Sequence, residues 1–350
     1  MDEVTGIDLK ERTISTARNI FPYDFLILSA GSVSHFFGVA GAAEHAFQLK
    51  TFEQAVALRN HILLLFERSL CTSELAARRR MLTFAIVGGG PTGVEFAGAL
   101  SELIRGPLRK DYPVLKPEYM RVVLLEAAGA LLQGFPERLQ CYATDHLRRM
   151  GVYVRFGAAV AAVSAESITL KDGMDIPTET TIWTAGVRTT APAFSAGLPV
   201  LRNGQVKVLP TLQVPSHPEV YVVGDMTYFE ENGAPLPMNA PVAIQQGKAA
   251  AGNILRQLQG LSPRPFRYRE MGKMVTIGRN AAVAELGGRS FSGFPAWMLW
   301  LGVHLFNLIG FRNRMLVMIN WAWDYLLFDR AVRLIIPIPV DLARRTKDPD

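Results

Sequence analysis

The sequence predicts an α/β fold in which a parallel sheet binds its ligand at the carboxyl ends of the strands. The run Leu82–Leu100 has the composition of a buried strand, a glycine-rich turn and a helix. A second apolar strand, Arg121–Glu126, ends on an acidic residue. Three further apolar strands end in small or short residues, which leave room for a ligand: Ala30-Gly31, Ala185-Gly186 and Gly224-Asp225.

The glycine-rich turn has the spacing G-x-G-x-x-G. Gly88 permits a tight turn, Gly90 lets the backbone approach a pyrophosphate, and Gly93 lets the helix pack close to the strand. The amide groups at the start of the helix would face the phosphates. An incidental glycine turn is the alternative. The position of the motif between a buried strand and a helix favours a dinucleotide site.

Glu126 favours NADH as the dinucleotide. An acidic residue at the end of the second strand is the group that an NAD site uses to bind the ribose 2′-hydroxyl. An insertion over residues 106–117 accounts for the long spacing between the turn and Glu126. Ala127 and Ala128 follow, so no arginine is present there for a 2′-phosphate. A solvated strand end is the alternative interpretation of Glu126.

Composition narrows the class of protein. The chain has 350 residues, 49% of them hydrophobic and 19% charged, which predicts a globular protein of two or three domains. A net charge of +6 on an apolar chain, without interleaved aromatic and basic residues, fits an anionic lipid surface at least as well as nucleic acid, and we expect no nucleic-acid partner. Cys71 and Cys141 form no C-x-x-C pair, which excludes a disulfide framework. The sequence has no His/Cys cluster with metal-ligand spacing, so we expect no metal site.

Two apolar segments near the C-terminus predict helices that lie in a membrane interface. Phe291–Gly310 contains no Asp, Glu, Lys or Arg, and Met315–Phe328 is a second apolar run. Each segment carries a polar stripe, and tryptophans and arginines flank the apolar residues. The first segment is of borderline length for spanning a membrane and the second is too short. A transmembrane helix and a partner or dimer surface remain alternatives.

Five motifs recur in an order that resembles the type II, non-proton-pumping NADH:quinone oxidoreductases. The resemblance covers essentially the whole chain, and the ordered set is far more specific than any one motif. The motifs are VGGGPTGVEFAG (87–98), WTAGVR (183–188), YVVGD (221–225), APVAIQQG (240–247) and MVTIGRNAAVA (274–284).

The resemblance implies two Rossmann-like dinucleotide-binding domains and a C-terminal membrane-binding part. Residues 1–80 and 189–265 would form the FAD domain, residues 81–188 the inserted NADH domain, and residues 266–350 the quinone site and membrane helices. Hydride would pass from NADH to FAD, and two electrons from FAD to a membrane quinone. We also expect a peripheral location on the cytoplasmic face of the cell membrane, with a homodimer of this chain as an open alternative.

The resemblance implies roles for individual residues. Gly88, Gly90, Thr92 and Gly93 would bind the NADH pyrophosphate, Glu126 its ribose, and Ala185 and Gly186 would flank the nicotinamide. On the FAD side, Asp225 after Gly224 would bind the ribityl chain. The residues implied near the flavin ring are Ala30, Gly31, Ala243 and Ile244.

Glu95 and Gln245 are the residues that the resemblance implies for catalysis. Glu95 matches a family glutamate near the contact between nicotinamide and flavin, whereas a helix N-terminal glutamate favoured by the helix dipole is the alternative. The family's quinone motif, A-Q-x-x-x-Q, has Pro241 in place of its first glutamine, so only Gln245 remains. This departure leaves the quinone contacts and the quinone type open.

A second departure concerns the FAD pyrophosphate. Complete family members begin with a strand and a further G-x-G-x-x-G, and this chain has no such pattern before Val4. We therefore expect an N-terminally truncated chain or a mis-started reading frame. The alternative function is a flavin-free, NADH-binding, membrane-associated remnant. The lack of paired cysteines argues against a related disulfide or sulfide oxidoreductase.

Overall fold

The computed structural model describes residues 2–189, 197–327 and residue 335. Its strands are β1 Val4–Asp8, β2 Thr13–Thr16, β3 Ile20–Pro22, β4 Leu26–Leu28, β5 Ser32–Ser34, β6 Ala46–Gln48, β7 Thr83–Val87, β8 Arg121–Leu125, β9 Val152–Arg155, β10 Val160–Val163, β11 Ser167–Leu170, β12 Asp175–Pro177, β13 Thr180–Trp183, β14 Val187–Thr189, β15 Val206–Lys207, β16 Gln213–Val214, β17 His217–Val222, β18 Thr227–Tyr228, β19 Glu230–Glu231, β20 Ala234–Pro235, β21 Lys273–Thr276, β22 Ala282–Leu286 and β23 Arg289–Gly293. Its α-helices are α1 Ala42–His45, α2 Phe52–Cys71, α3 Leu75–Met81, α4 Pro91–Leu103, α5 Arg109–Asp111, α6 Glu137–Arg149, α7 Ala240–Leu258, α8 Phe294–Asn307 and α9 Phe311–Leu327.

The chain divides into two compact units. The first unit comprises residues 1–35 and 187–271, and the second comprises residues 36–186 and 272–350. The chain thus enters the second unit at residue 36. The physical reason is that β6 pairs in parallel with β13, while Leu58 and Phe66 of α2 join the core beneath that sheet. The assignment of cofactors to these stretches stays a prediction.

A five-stranded parallel sheet organises the second unit. Its strand order is β6-β13-β7-β8-β9, and every residue of β7 and β13 is buried. Apolar side chains of α2, α4 and α6 pack in the core on one face, while residues of the antiparallel sheet β10-β11-β12 pack in the core on the other. Burial on both faces explains the continuous apolar runs of these strands. The predicted α/β fold with a parallel sheet is confirmed.

The C-terminal part of the second unit begins with an antiparallel sheet, β21-β22-β23, which packs on the sheet's helices. A Cβ atom added at Gly98 of α4 would lie 2.7 Å from the Gly278 nitrogen, so helix and turn approach to backbone contact. The predicted apolar segment Phe291–Gly310 starts in β23, and its helix begins only at Phe294. Among the described residues, no helix combines the length and the apolar character needed to cross a membrane.

The first unit consists of small sheets around one long helix. Strands β4 and β17 run parallel, with Ile27 opposite Tyr221, and β16 completes this three-stranded sheet. Helix α7 begins where the side chain of Asn239 accepts a hydrogen bond from the Val242 amide at 3.0 Å. The tyrosine ring of Tyr221 is fully buried between this sheet and neighbouring apolar residues.

Candidate functional site

The turn between β7 and α4 has a shape that only glycine allows at two of its positions. Gly88 has a φ of 109°, and a Cβ atom there would lie 2.8 Å from the Ala185 nitrogen. A Cβ atom at Gly93 would lie only 1.9 Å from the carbonyl oxygen of Gly88. The close packing of strand, turn and helix therefore depends on the absence of these side chains.

Gly90 differs from Gly88 and Gly93 because open space lies where its side chain would be. A Cβ atom added there would meet no other atom within 4 Å. Helix α4 starts at the next residue, Pro91, and Thr92 is exposed in its first turn. The first-turn amides of a helix have no intrahelical acceptor, so they can bind an anion that approaches Gly90. The open space and these donors fit a pyrophosphate group.

Glu126 supports the glycine turn from the end of β8. Its Oε2 atom accepts a hydrogen bond of 2.6 Å from the Gly89 amide, and its Oε1 atom accepts one of 2.8 Å from the Ala128 amide. Each carboxylate oxygen retains acceptor capacity, so Glu126 can also accept a ribose hydroxyl. The motif predicts the ribose contact, while the bond to the turn itself appears only in the structure.

Thr184, which sequence reasoning missed, joins the end of β13 to the glycine turn. Its hydroxyl lies 2.8 Å from the Val87 carbonyl oxygen and 3.1 Å from that of Gly88, and it donates to them. This bond holds the following residue, Ala185, against Gly88, while Gly186 is exposed with a φ of 67°. The structure thus brings the turn, Glu126 and the end of β13 together.

Glu95 lies one helical turn into α4 and is partly buried. Its Oε1 atom is 3.2 Å from the Thr276 amide nitrogen and 3.4 Å from the Thr276 hydroxyl, both of which donate. Burial raises the pKa of the Glu95 carboxyl above its usual range, and the bonds from Thr276 and the charge of His304 partly offset that rise. The effect of desolvation on the pKa is the largest, so Glu95 holds a proton at a higher pH than an exposed glutamate does.

In the first unit, hydrogen bonds hold the segment Gly224-Asp225. The Ser32 hydroxyl donates a 2.5 Å bond to Oδ2 of Asp225. The amide of Gly224, which has a φ of 72°, donates a 2.7 Å bond to Oε1 of the buried Gln246. The side-chain amide of Gln205 donates to the Asp225 and Thr227 carbonyl oxygens at 3.2 and 3.0 Å. Sequence reasoning missed Ser32, Gln205 and Gln246.

Other residues predicted for FAD lie near this segment. The Ala30 amide lies 3.0 Å from the Met226 sulfur, and Gly31 follows with a φ of 75°. Ala243, in the first turn of α7, has its Cβ atom 3.4 Å from the position of a Cβ atom at Gly224. Ile244 is 57% exposed. The structure therefore brings residues 30–32, 224–226 and 243 together, with Asp225 as the carboxylate available to a polyol chain.

Both polar atoms of the Gln245 side chain form hydrogen bonds with the backbone of Arg269. Its Nε2 donates to the Arg269 carbonyl oxygen at 2.9 Å, and its Oε1 accepts from the Arg269 amide at 3.0 Å. Pro241 occupies the first turn of α7, where a missing N–H costs no helical bond. In the described part of the chain, no three His, Cys, Asp or Glu side chains are placed to hold a metal ion.

The parallel sheet and the glycine turn together define a dinucleotide-binding α/β protein. The family model of the pyridine nucleotide-disulphide oxidoreductases matches residues 1–247, and that of the NDH2 C-terminal domain matches residues 271–331. A type II NADH:quinone oxidoreductase of Mycobacterium tuberculosis is 38% identical over 316 residues, which are 87% of this chain and 67% of the relative. A second enzyme of that description from the same organism is 36% identical over 93% of this chain and 72% of its own.

Solved structures agree on the fold. The structure of NDH2 from Plasmodium falciparum in complex with NADH is 18% identical, with a TM-score of 0.85 over 96% of this chain and 85% of that chain. The chain therefore belongs to the type II NADH:quinone oxidoreductase family, within the pyridine nucleotide-disulphide oxidoreductases. The predicted family is confirmed.

Proposed function

We propose that this protein oxidises NADH through FAD and reduces a membrane quinone without pumping protons. The observation that carries the proposal is family membership along the chain, with the oxidoreductase match followed by the NDH2 C-terminal match. FAD, when bound, supplies the chemistry by accepting a hydride and passing on two electrons. The protein's own residues bind, orient and shield the reactants.

The glycine turn serves NADH in this proposal. The first-turn amides of α4, including that of Thr92, hold the pyrophosphate where Gly90 leaves space for it. Glu126 accepts a hydrogen bond from the ribose 2′-hydroxyl of NADH. Its negative charge repels the 2′-phosphate of NADPH. Ala185, with only a methyl side chain, and Gly186, with none, leave room beside the nicotinamide.

The segment Gly224-Asp225 serves FAD. The Asp225 carboxylate, oriented by the Ser32 hydroxyl, accepts hydrogen bonds from the ribityl hydroxyls. Ala30-Gly31 and Ala243-Ile244 lie beside the flavin ring. The half-buried carboxylate and the small residues around it fit such a group.

Glu95 and Gln245 take the remaining roles. Glu95, whose pKa is raised by burial, holds a proton at its carboxyl and exchanges it during turnover. Gln245 fixes the backbone at Arg269 and lies at the single remaining position of the family's quinone motif. We assign residues 81–188 to NADH binding, residues 1–80 and 189–265 to FAD binding, and residues 266–350 to the quinone site and membrane attachment. Of these, residues 190–196, 328–334 and 336–350 lie outside the described residues.

Helices α8 and α9 attach the protein to the cytoplasmic face of the membrane as a peripheral enzyme. Phe306, Ile309 and Phe311 are 73%, 88% and 78% exposed, and Arg312 and Arg314 follow them. Such a surface fits an interface with anionic lipid. Sedimentation with anionic vesicles should exceed that with neutral ones and fall with salt. If the exposed residues serve a homodimer instead, light scattering will give twice the chain mass and vesicles will bind weakly.

Coenzyme preference tests the NADH proposal. Reduction of a soluble quinone analogue should be faster with NADH than with NADPH. Glu126→Gln keeps the shape but removes the charge, so the ratio of kcat/KM for NADPH over NADH should rise about tenfold. A protein that carries flavin but reduces no quinone would contradict the activity, and a purified chain without flavin absorbance would favour the flavin-free alternative.

A further inference from the structure

A cavity of about 740 Å³ lies on the face of the parallel sheet that the antiparallel sheet β10-β11-β12 covers. Its floor is formed by Thr83, Arg121, Val123 and Tyr153, which share one face of β7, β8 and β9, and its other side is β12. Gly88 follows Thr83 by five positions along β7, about 16 Å at the rise of a strand. The cavity is therefore separate from the glycine turn.

Four arginines line the cavity, and two of them are committed to carboxylates. Arg80 pairs with Glu166 and Glu179 at 3.1 Å each, and Arg155 pairs with Asp172 at 2.6 Å. Across the described residues, Arg79 and Arg121 have no carboxylate within salt-bridge distance. Two of the arginines that line the cavity thus carry a charge that no carboxylate pairs.

Among the described residues, Asp175 is the one carboxylate of the lining with no cation within salt-bridge distance, so it offsets one of the two unpaired arginine charges. Asp175 accepts a 2.7 Å hydrogen bond from the Thr169 hydroxyl, and Glu118 lies 4.0 Å from the Lys116 ammonium. The cavity thus offers a net positive charge to an incoming ligand. A guanidinium binds phosphate through two parallel N–H donors, which makes phosphate the anion best suited to Arg79 and Arg121.

Aromatic and apolar surface completes the lining. The Arg121 guanidinium lies 4.7 Å from the centroid of the Tyr153 ring, and that side chain is 49% exposed. Tyr119 adds a second ring, and Val123, Ile176 and Pro177 add apolar contacts. Aromatic rings stack with nucleobases irrespective of base type. The volume is in the range of small-molecule sites.

We propose that this cavity binds a nucleoside phosphate, with the base against the tyrosine rings and the phosphate at Arg79 and Arg121. It is a second nucleotide site, independent of the NADH site proposed above. The two unpaired arginines bind the phosphate, and the rings and apolar residues bind the base. A ligand with both groups therefore binds more tightly than a nucleoside or a phosphate ion alone.

Calorimetric titration with adenosine monophosphate tests the proposal on the full chain, saturated with NAD⁺ to fill the glycine turn. We expect one further binding event per chain. Adenosine and inorganic phosphate should each bind at least tenfold more weakly. Arg79→Gln and Arg121→Gln should each weaken binding about tenfold to a hundredfold, because each removes hydrogen bonds to a charged group. Arg109→Gln, an exposed arginine outside the cavity, is the matched control and should bind as the wild type does.

Several results would overturn the proposal: no binding after NAD⁺ saturation, equal binding of inorganic phosphate, or unchanged affinity in both arginine variants. If a variant does not fold, hydrogen exchange on the wild type decides. Adenosine monophosphate should then protect backbone amides of residues 118–123 and 152–155, and protection confined to residues 88–94 would contradict a second site.

Discussion

The two segments that we propose bind nucleotides are held in shape by different forces. In the glycine turn of the second unit, Gly88 and Gly93 fit because a Cβ atom would overlap backbone atoms 2.8 and 1.9 Å away. In the first unit, Gly224-Asp225 is held by hydrogen bonds from or to Ser32, Gln205 and Gln246. Packing fixes the shape of the first motif, and hydrogen bonds fix the shape of the second.

This difference decides what each motif tolerates. A motif held by packing fails when atoms are added to it, whereas one held by hydrogen bonds fails when a partner is removed. It also decides where the determinants lie in the chain. Gly93 is five residues from Gly88, but Ser32 is 193 residues from its partner Asp225.

The largest effect should come from Gly93→Ala. The added Cβ atom meets the Gly88 carbonyl oxygen, which belongs to backbone and cannot rotate away, so the free energy of unfolding should fall by at least about 3 kcal/mol. Urea denaturation measures the loss. Gly106→Ala is the matched control, since a Cβ atom there meets nothing within 4 Å and should change stability by less than about 1 kcal/mol. Equal stability of the two variants would contradict packing as the cause.

Substitution of Gln246 tests whether hydrogen bonds hold the Gly224-Asp225 segment, and the adjacent Gln245 provides the comparison. Gln246 is 1% exposed, and Gln246→Ala leaves the Gly224 amide without its acceptor, so unfolding free energy should fall by about 2 kcal/mol. The ratio of flavin to protein should fall with it. Gln245→Ala removes bonds to the more exposed Arg269 backbone and should cost about 1 kcal/mol or less. A larger flavin loss in the Gln245 variant would reverse the comparison.

Gly90→Ala separates shape from binding within the glycine turn. Because the added Cβ atom has open space, the melting temperature should stay within a degree or two of the wild type's. The same atom occupies the approach of the pyrophosphate, so the KM for NADH should rise about tenfold. Flavin content serves as the internal control and should not change. An unchanged KM would show that NADH does not approach the backbone at Gly90.

The smallest effect concerns Glu95 and pH. Its pKa is raised above the ordinary value of 4.5 by burial, so the folded chain binds this proton more tightly than the unfolded chain does. That contribution is present at low pH and is lost as pH rises from about 4.5 through the raised pKa. Relative to Glu95→Gln, the wild type should therefore lose stability over this range and remain less stable at neutral pH. Parallel pH profiles of the two proteins would show that burial does not control Glu95.

Sequence alone predicts what lies in short stretches. The strand, turn and helix around Gly88 follow from apolar runs and glycine spacing, and Glu126 follows from its place after a strand. The apolar runs also predict the two C-terminal helices, but with shifted ends. Helix α8 starts three residues after Phe291 because pairing with β22 takes up residues 289–293, and α9 starts at Phe311, since Arg312 and Arg314 interrupt the apolar run without interrupting the helix.

The sequence alone does not predict which residues far apart in the chain form hydrogen bonds or pair as strands. Nothing local in Ser32, Thr184 or Gln246 marks them as supports of a nucleotide motif, because each is an ordinary polar residue until the fold brings it to its partner. No local signal marks the entry of the chain into the second unit at residue 36 either. It depends on β6, a three-residue strand, whose pairing with β13 spans more than a hundred residues.

Anaerobic titration of the purified chain with NADH, followed by a soluble quinone analogue, tests the proposed function most directly. Oxidised flavin absorbance should be present, should bleach at about one NADH per flavin, and should return when the quinone is added. Bleaching without recovery by quinone, or recovery without any response to NADH in the first step, would contradict an NADH:quinone oxidoreductase.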